Sequence, residues 1–228
     1  MTNNIKHVFF DLDHTLWDFD KNSGLTFGKI FDLHKVEINI EDFLSVYEPI
    51  NLRYWKLYRE EKVTKAQLRY GRLKEAFDTI DFSASDKLIN DLSKDYISYL
   101  SSFNHVFEGT YDVLNYLSKR YTLHIITNGF EEAQEKKLVA SNMKHYFETV
   151  TNSEMVGVKK PNPKIFNFAL QNANAKPSES IMIGDSLEAD VQGAIDVGLD
   201  AIYFDYKNQN YYHNYKRITN LSALQDIL

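Results

Sequence analysis

The sequence predicts an α/β protein, a parallel sheet with helices on both faces, interrupted by a single all-helical insertion. Three observations carry that expectation. The run Ile5-Lys6-His7-Val8-Phe9-Phe10 is short, mostly apolar and rich in strand formers, as a buried strand requires. From about 18 to 102 the apolar residues recur at helical spacing with no convincing strand. From about 108 onward, helices alternate with short apolar strands, the order that builds a parallel sheet.

Taken in order, helices are expected over about 22–36, 40–60, 64–79 and 85–102. Thr64 followed by Gln67 reads as a capping box for the third, and Pro49 starts or bends part of the second. Beyond the insertion come a helix at about 108–120, a strand at 123–127, a helix at 130–141 and a short strand near 149–151. A helix at 163–173, a strand at 180–184, a helix at 188–197 and a strand at 201–204 complete the pattern. The expected division is therefore a core of 1–17 with 103–228 and a helical block of 18–102. Asp205 to Tyr215, crowded with Asn, Tyr and Lys, reads as a polar surface loop.

Composition narrows the function classes. With 228 residues and 43% hydrophobic content, the chain can bury a sizeable core. A net charge of −6 argues against a nucleic-acid scaffold. No apolar stretch approaches the length of a membrane span, and no signal-peptide pattern opens the chain. Zero cysteines exclude disulfides, thiolate metal sites and thiol nucleophiles. A cytoplasmic location is the simplest expectation.

The chemistry gathers at expected strand ends. Asp11-Leu12-Asp13-His14-Thr15 puts two carboxylates two positions apart where the first strand stops. Ligands of open α/β sheets bind at that edge, and alternation lets Asp11 and Asp13 share a face if the chain stays extended. One carboxylate can serve as nucleophile while the other handles protons, and both can help hold a hard cation. Thr127-Asn128-Gly129 offers a hydroxyl and backbone N–H groups ahead of a helix, a ready anion site, although such a tripeptide alone is more often a turn. Lys159-Lys160-Pro161-Asn162-Pro163 sets a lysine beside a proline before a helix, which can present a point charge to a phosphoryl group or simply be solvated. Gly184-Asp185-Ser186-Leu187-Glu188-Ala189-Asp190 supplies Asp185, able to complete an oxygen-rich Mg²⁺ site with the first pair. Asp190 either supports that site from behind or favours the dipole of the next helix.

Four such segments in this order, DxDxT, T-N, K-P and GDxxxxD, resemble the haloacid-dehalogenase-like (HAD) superfamily, in its branch with a helical cap inserted after the first motif. The resemblance spans essentially the whole chain and implies a Rossmann-like core. It implies that Asp11 is the nucleophile and forms an aspartyl-phosphate, and that Asp13 is the general acid and then the base. It gives Thr127, Asn128 and Lys160 the role of holding phosphate, with Lys160 counted among the catalytic residues. Mg²⁺ would be held by Asp11, Asp185 and the backbone carbonyl of Asp13. The physics agrees, because an anionic carboxylate approaching an anionic phosphate needs a metal ion and a lysine to offset repulsion.

Asp13 also discriminates within the superfamily: the dehalogenases proper lack it, since a halide leaving group needs no proton. Leu16 to Asp20, Tyr54 to Tyr58 with Gly71-Arg72, Ile125 to Phe130, and Glu154 to Pro161 are similar to the YjjG-type pyrimidine 5′-nucleotidases. That similarity implies a nucleoside monophosphate as the small-molecule partner, with neither nucleic acid nor a membrane involved. Between Asn51 and Lys74 eight basic residues face two acidic ones, with Tyr54, Trp55, Tyr58 and Tyr70 interleaved. This stretch either funnels an anion and stacks a base, or is a solvated helix face over an aromatic cap core. Cap opening and closing would hinge near Trp17–Asn22 and 102–108. The rival expectations are a sugar-phosphate phosphatase, a phosphomutase such as β-phosphoglucomutase, and a binding protein on an inactive HAD fold.

Overall fold

The structure is a computed structural model that describes residues 4–209 and 215–228. The chain forms two compact units, Met1–Phe19 with Asn104–Leu228, and Asp20–Phe103.

The first unit is built on six strands: β1 (His7–Phe10), β2 (Thr122–Thr127), β3 (Phe147–Asn152), β4 (Ser180–Gly184), β5 (Asp200–Phe204) and β6 (Lys216–Ile218). They lie in the order β3-β2-β1-β4-β5-β6, every neighbouring pair parallel. The chain steps outward from β1 through β2 and β3, then returns to the other side of β1 for β4. Strand order therefore reverses between β1 and β4, the position where open α/β sheets form their crevice. Phe10 sits opposite both Ile125 and Ile183, so the segments following β1, β2 and β4 leave the sheet at one edge.

The central strands are apolar almost throughout because helices cover both faces and leave no side to water. On one face Phe9, Ile126 and Met182 pack with Ile165, Phe166, Ala169 and Leu170 of the helix after Pro163. Helices α5 (Thr110–Leu117), α6 (Glu131–Ala140), α7 (Ser153–Val156), α8 (Pro163–Asn172), α9 (Gly193–Asp196) and α10 (Leu224–Ile227) belong to this unit. Pro163 opens α8, with Asn162 accepting from the Lys164 N–H at 3.0 Å.

Several elements differ from expectation. The helix expected at 188–197 is a π-helix over Leu187–Gln192 that continues as α9. β6, α7 and α10 were not expected, because none is long enough to show a period, and two of the three β6 residues are basic. β6 lies at the sheet edge, where charged side chains are the normal occupants. Of the polar loop expected at Asp205–Tyr215, residues 210–214 lie outside the described residues. Asp205 is buried rather than solvated, and its carboxylate accepts from Arg217 Nε at 2.9 Å.

The second unit contains α2 (Ile40–Arg59), α3 (Lys65–Thr79), α4 (Asp86–Tyr99) and most of α1 (Phe19–His34). The capping box is present: Gln67 N–H donates to Thr64 Oγ1 at 3.2 Å, and Thr64 N–H to Gln67 Oε1 at 2.8 Å. Pro49 lies inside a continuous α2 rather than starting a helix. The core is aromatic, with the Phe27 ring 4.5 Å from Tyr47 and 4.7 Å from Tyr96. Arg72, part of the basic stretch, is turned into this core. It donates to Asn51 Oδ1 at 2.8 Å and lies 5.0 Å from the Tyr96 ring. Others in the stretch have acidic partners: Arg53 with Glu75, Lys62 with Glu60 at 2.6 Å, and Lys74 with Asp78 at 2.5 Å. The stretch is thus partly paired and partly turned inward rather than a continuous cationic stripe.

One buried histidine predicts a pH dependence for the sheet. His124 on β2 is fully buried, with Nδ1 2.8 Å from Thr149 Oγ1 and Nε2 3.1 Å from His7 Nδ1. Burial, and secondarily the neighbouring His7, pushes its pKa down to about 4. The unfolded chain takes a proton on this ring near the ordinary value of about 6.5. Between those values the unfolded state binds more protons, so stability falls as pH drops from about 6.5 toward 4. Denaturant melts of wild type and His124→Gln across that window are expected to show a shallower acid loss in the variant. Identical slopes would assign the acid sensitivity to other groups.

Candidate active site

The first unit brings the expected residues together at the sheet edge marked by the strand reversal. Asp11 directly follows β1, its N–H bonded to Ile183 O of β4 at 2.9 Å. Asp185 directly follows β4. Lys160 departs from expectation, since it does not lie at a strand end: β3 stops at Asn152, and α7 and a loop intervene. Its side chain covers the gap. Lys160 Nζ lies 2.5 Å from Asp11 Oδ1, 2.6 Å from Asp190 Oδ1 and 2.6 Å from the Ile126 carbonyl oxygen.

Asp190 is thereby placed in the cluster. The π-helix starts with both Asp190 N–H (2.9 Å) and Val191 N–H (3.1 Å) bonded to Ser186 O. Asp190 Oδ2 accepts from the Ser186 N–H at 3.0 Å while Oδ1 meets Lys160. Gly184 makes room, since a Cβ there would lie 2.4 Å from the Asp190 carboxylate. Asp11, Asp185 and Asp190 each offer an oxygen within 4.8 Å of the others. Thr15 Oγ1 adds a hydrogen bond to Asp185 Oδ1 at 3.2 Å.

Electrostatics shows what such a cluster costs. Burial pushes Asp11 up to about 7, with Lys160 opposing and Asp190 and Asp13 adding to the rise. Asp185 is raised well above the usual carboxylate range, by burial first and then by Asp190 and Asp11. Burial disfavours the Lys160 ammonium, but Asp11 and Asp190 outweigh it, so the lysine is held charged. Three carboxyl groups face one ammonium in a largely buried site, so ionising all three calls for further positive charge. A donor set of carboxylate oxygens with that need fits a hard divalent cation.

The remaining expected residues divide their work. Asn128 faces the backbone of Lys160: Nδ2 donates to its carbonyl at 3.0 Å and Oδ1 accepts from its N–H at 2.7 Å. Thr127 Oγ1 accepts from the Gly129 N–H at 3.1 Å and from Gln134 Nε2 at 2.7 Å, which leaves its hydroxyl proton to donate. The Asp13 carboxylate stands apart from the trio. Lys137 Nζ lies 2.5 Å from Oδ1, and Gln134 Nε2 donates to Oδ2 at 3.0 Å. Gln134 and Lys137 were missed in the sequence. The available signal was helical: Ala133, Gln134, Lys137 and Leu138 form the buried stripe of α6, and two polar members of such a stripe need partners.

Comparison with known proteins decides the family. The model of the haloacid dehalogenase-like hydrolases matches residues 5–198. The chain belongs to that family. Among its relatives is pyrimidine 5′-nucleotidase YjjG of Escherichia coli, 33% identical over 84% of this chain and 82% of that protein. Pyrimidine 5′-nucleotidase PynA of Streptococcus pneumoniae is 29% identical over 98% of this chain and 93% of that protein. A glyceraldehyde 3-phosphate phosphatase of Methanothermobacter thermautotrophicus is 32% identical over 87% and 84% of the two chains. Among solved structures, the HAD-hydrolase YfnB of Bacillus subtilis superposes with a TM-score of 0.89 at 26% identity, covering 99% of both chains. The YfnB structure is bound to magnesium and reveals interdomain movement in that protein. Among the described residues of this HAD-family hydrolase, no helix is long and apolar enough to cross a membrane.

Proposed function

We propose that this HAD-family hydrolase is a Mg²⁺-dependent phosphomonoesterase that works through an aspartyl-phosphate, with pyrimidine nucleoside monophosphates as its substrates. The observation that carries the chemistry is the separation of two nearby carboxylates, Asp11 against Lys160 and Asp13 against Lys137. The similarity to YjjG and PynA supports the nucleotide.

In this reading an Asp11 carboxylate oxygen attacks phosphorus and the bond to the ester oxygen breaks. Asp13 gives its proton to that oxygen as the alcohol leaves. Its carboxylate then takes a proton from the attacking water, whose oxygen bonds to phosphorus as the Asp11–phosphorus bond breaks. Phosphate leaves and both aspartates return to their starting states. Lys160 balances the charge at Asp11, and the free Thr127 proton is the hydrogen bond offered to a phosphoryl oxygen. Asn128 sets the backbone of Lys160 and so fixes where that charge sits. Asp11 and Asp185 would hold Mg²⁺, together with the carbonyl of Asp13. Asp190, engaged through both oxygens, holds Lys160 from behind. When bound, the metal supplies the positive charge that lets an anion approach an anion.

Two expected outcomes check these assignments. Magnesium chloride should raise the Tm of the wild type, by the equivalent of about 2.7 kcal/mol at a hundredfold excess over Kd. The rise should be larger at pH 8 than at pH 6, because the ion displaces a proton held by Asp11 with a pKa of about 7. Differential scanning fluorimetry reads both, and an equal rise in Asp185→Asn would remove Asp185 from the ligand set.

The second measurement is phosphate release from a panel of nucleoside monophosphates and sugar phosphates, with Asp11→Asn as control. Selective release from UMP, dUMP or dTMP, abolished in the variant, is the expected result. The glyceraldehyde 3-phosphate phosphatase relative favours a second reading, a sugar-phosphate phosphatase, and a preference for sugar phosphates would replace the nucleotide while keeping the chemistry. Release from none of them by folded protein with Mg²⁺ would overturn the phosphatase reading.

A further inference from the structure

We propose that Gln134 and Lys137 are positioning residues that clamp the Asp13 carboxylate in the orientation needed to protonate the leaving group. The inference rests on the phosphomonoesterase reading above and deepens it.

Both residues come from α6, three positions apart and so on one helix face. Each addresses a different oxygen of Asp13: Lys137 Nζ meets Oδ1 at 2.5 Å and Gln134 Nε2 donates to Oδ2 at 3.0 Å. With one donor at each end, rotation of the carboxylate about its bond would break both contacts, yet each oxygen keeps a lone pair for a proton. Gln134 Nε2 also donates to Thr127 Oγ1 at 2.7 Å, tying Asp13 to the threonine at the end of β2.

The clamp is built at a cost that packing alone does not explain. Lys137 is 2% exposed, and a buried ammonium is tolerated only when paired. Its Nζ lies 4.4 Å above the Trp17 ring and 5.3 Å from the Phe19 ring, so aromatic faces add to the carboxylate in holding it. Methionine or leucine would fill that space without a buried charge. Gln134 is equally buried, with Oε1 left without a hydrogen-bond partner. Turning the amide over would point that oxygen at a carboxylate, so the donor orientation is the one Asp13 enforces. Gly129 is the third part: a Cβ there would lie 2.3 Å from Gln134 Nε2, so the glycine keeps open the space the amide occupies.

A residue that orients the leaving-group acid has a kinetic signature that a general structural defect lacks. Esters with an activated aryl leaving group, such as p-nitrophenyl phosphate, depart with little protonation, whereas alkyl esters depend on it. Because kcat/KM covers only steps through loss of the first product, it reports leaving-group departure and not the later hydrolysis of the phosphoenzyme. The experiment compares kcat/KM for UMP, ribose 5-phosphate and p-nitrophenyl phosphate in wild type, Lys137→Met, Lys137→Arg and Gln134→Ala, with Mg²⁺ and with folding checked by Tm.

The expected result is a loss at least tenfold larger for the alkyl esters than for the aryl ester in Lys137→Met and Gln134→Ala. That is part of the roughly 10²–10⁴-fold a positioned acid contributes. Lys137→Arg should recover most of it. Equal losses for both ester types in folded variants would overturn the clamp and leave the two residues a packing role, as would no loss at all. Should Lys137→Met not fold, Gln134→Ala decides alone, since it removes a neutral amide and no charge. Wild-type protein that hydrolyses none of these esters overturns the phosphomonoesterase reading, and the clamp with it; an active wild type with undifferentiated variants overturns the clamp alone.

Discussion

A lysine ammonium buried among carboxylates is the constraint on which this molecule depends. Lys160 is held by Asp11, Asp190 and the Ile126 carbonyl, and these come from the end of β1, the π-helix after β4, and β2. Losing one partner would strand a charge away from water, a change that typically costs about 3–5 kcal/mol. The order of the sheet makes the arrangement reachable. With β1 between β2 and β4, the three segments end at one edge within side-chain reach of each other. The long intervals in sequence, from Asp11 to Lys160 and on to Asp190, collapse because the strands are parallel and in register.

That constraint also accounts for local features that look unfavourable in isolation. A π-helix is a poorer hydrogen-bonding arrangement than an α-helix, yet here it carries Asp190 back over Gly184 toward Lys160. Gly184 and Gly129 occupy positions where any Cβ would strike a side chain of the cluster, Asp190 in one case and Gln134 in the other. Asn128 applies both ends of its amide to the backbone of a single residue. Each device fixes one charge or one donor, and each sits where a strand gives way to a helix.

The legible parts of the sequence were those with a period or a forced partner. β1, β2, β4 and β5 were visible because a strand buried on both faces must be apolar along its length. α2 to α4 were visible through amphipathic spacing, and the cap of α3 through Thr64 and Gln67. β6 and α7 were hidden because three or four residues do not complete a pattern. The inward turn of Arg72 was hidden because a basic stretch on a helix looks solvated until its partners, Asn51 and the tyrosines, are known. At the sheet edge the residue types were readable, but pairing was not. Gln134 and Lys137 lie more than 120 residues from Asp13, and only the fold reveals that a polar pair on a buried stripe meets a carboxylate there.

The pairing explains how two aspartates so close in sequence can be chemically different. Had Asp11 and Asp13 shared one environment, like-charge repulsion would have made them a coupled pair with interchangeable protons. Instead the chain turns directly after Leu12, with Leu16 and Trp17 N–H groups bonded to its carbonyl at 3.0 and 2.9 Å. That turn separates the two side chains between two lysines, one from a loop and one from a helix. Asp11 enters the buried trio with Lys160, where it is 7% exposed and surrounded by other carboxylates. The Asp13 side chain keeps 22% exposure and is held by Lys137 and Gln134. The first is thus enclosed among other acids beside a candidate cation site, and the second has an ammonium of its own and access to water. The difference between the two environments thus follows from where each lysine is delivered, Lys160 by the loop before α8 and Lys137 by α6, rather than from any difference between the two aspartates themselves.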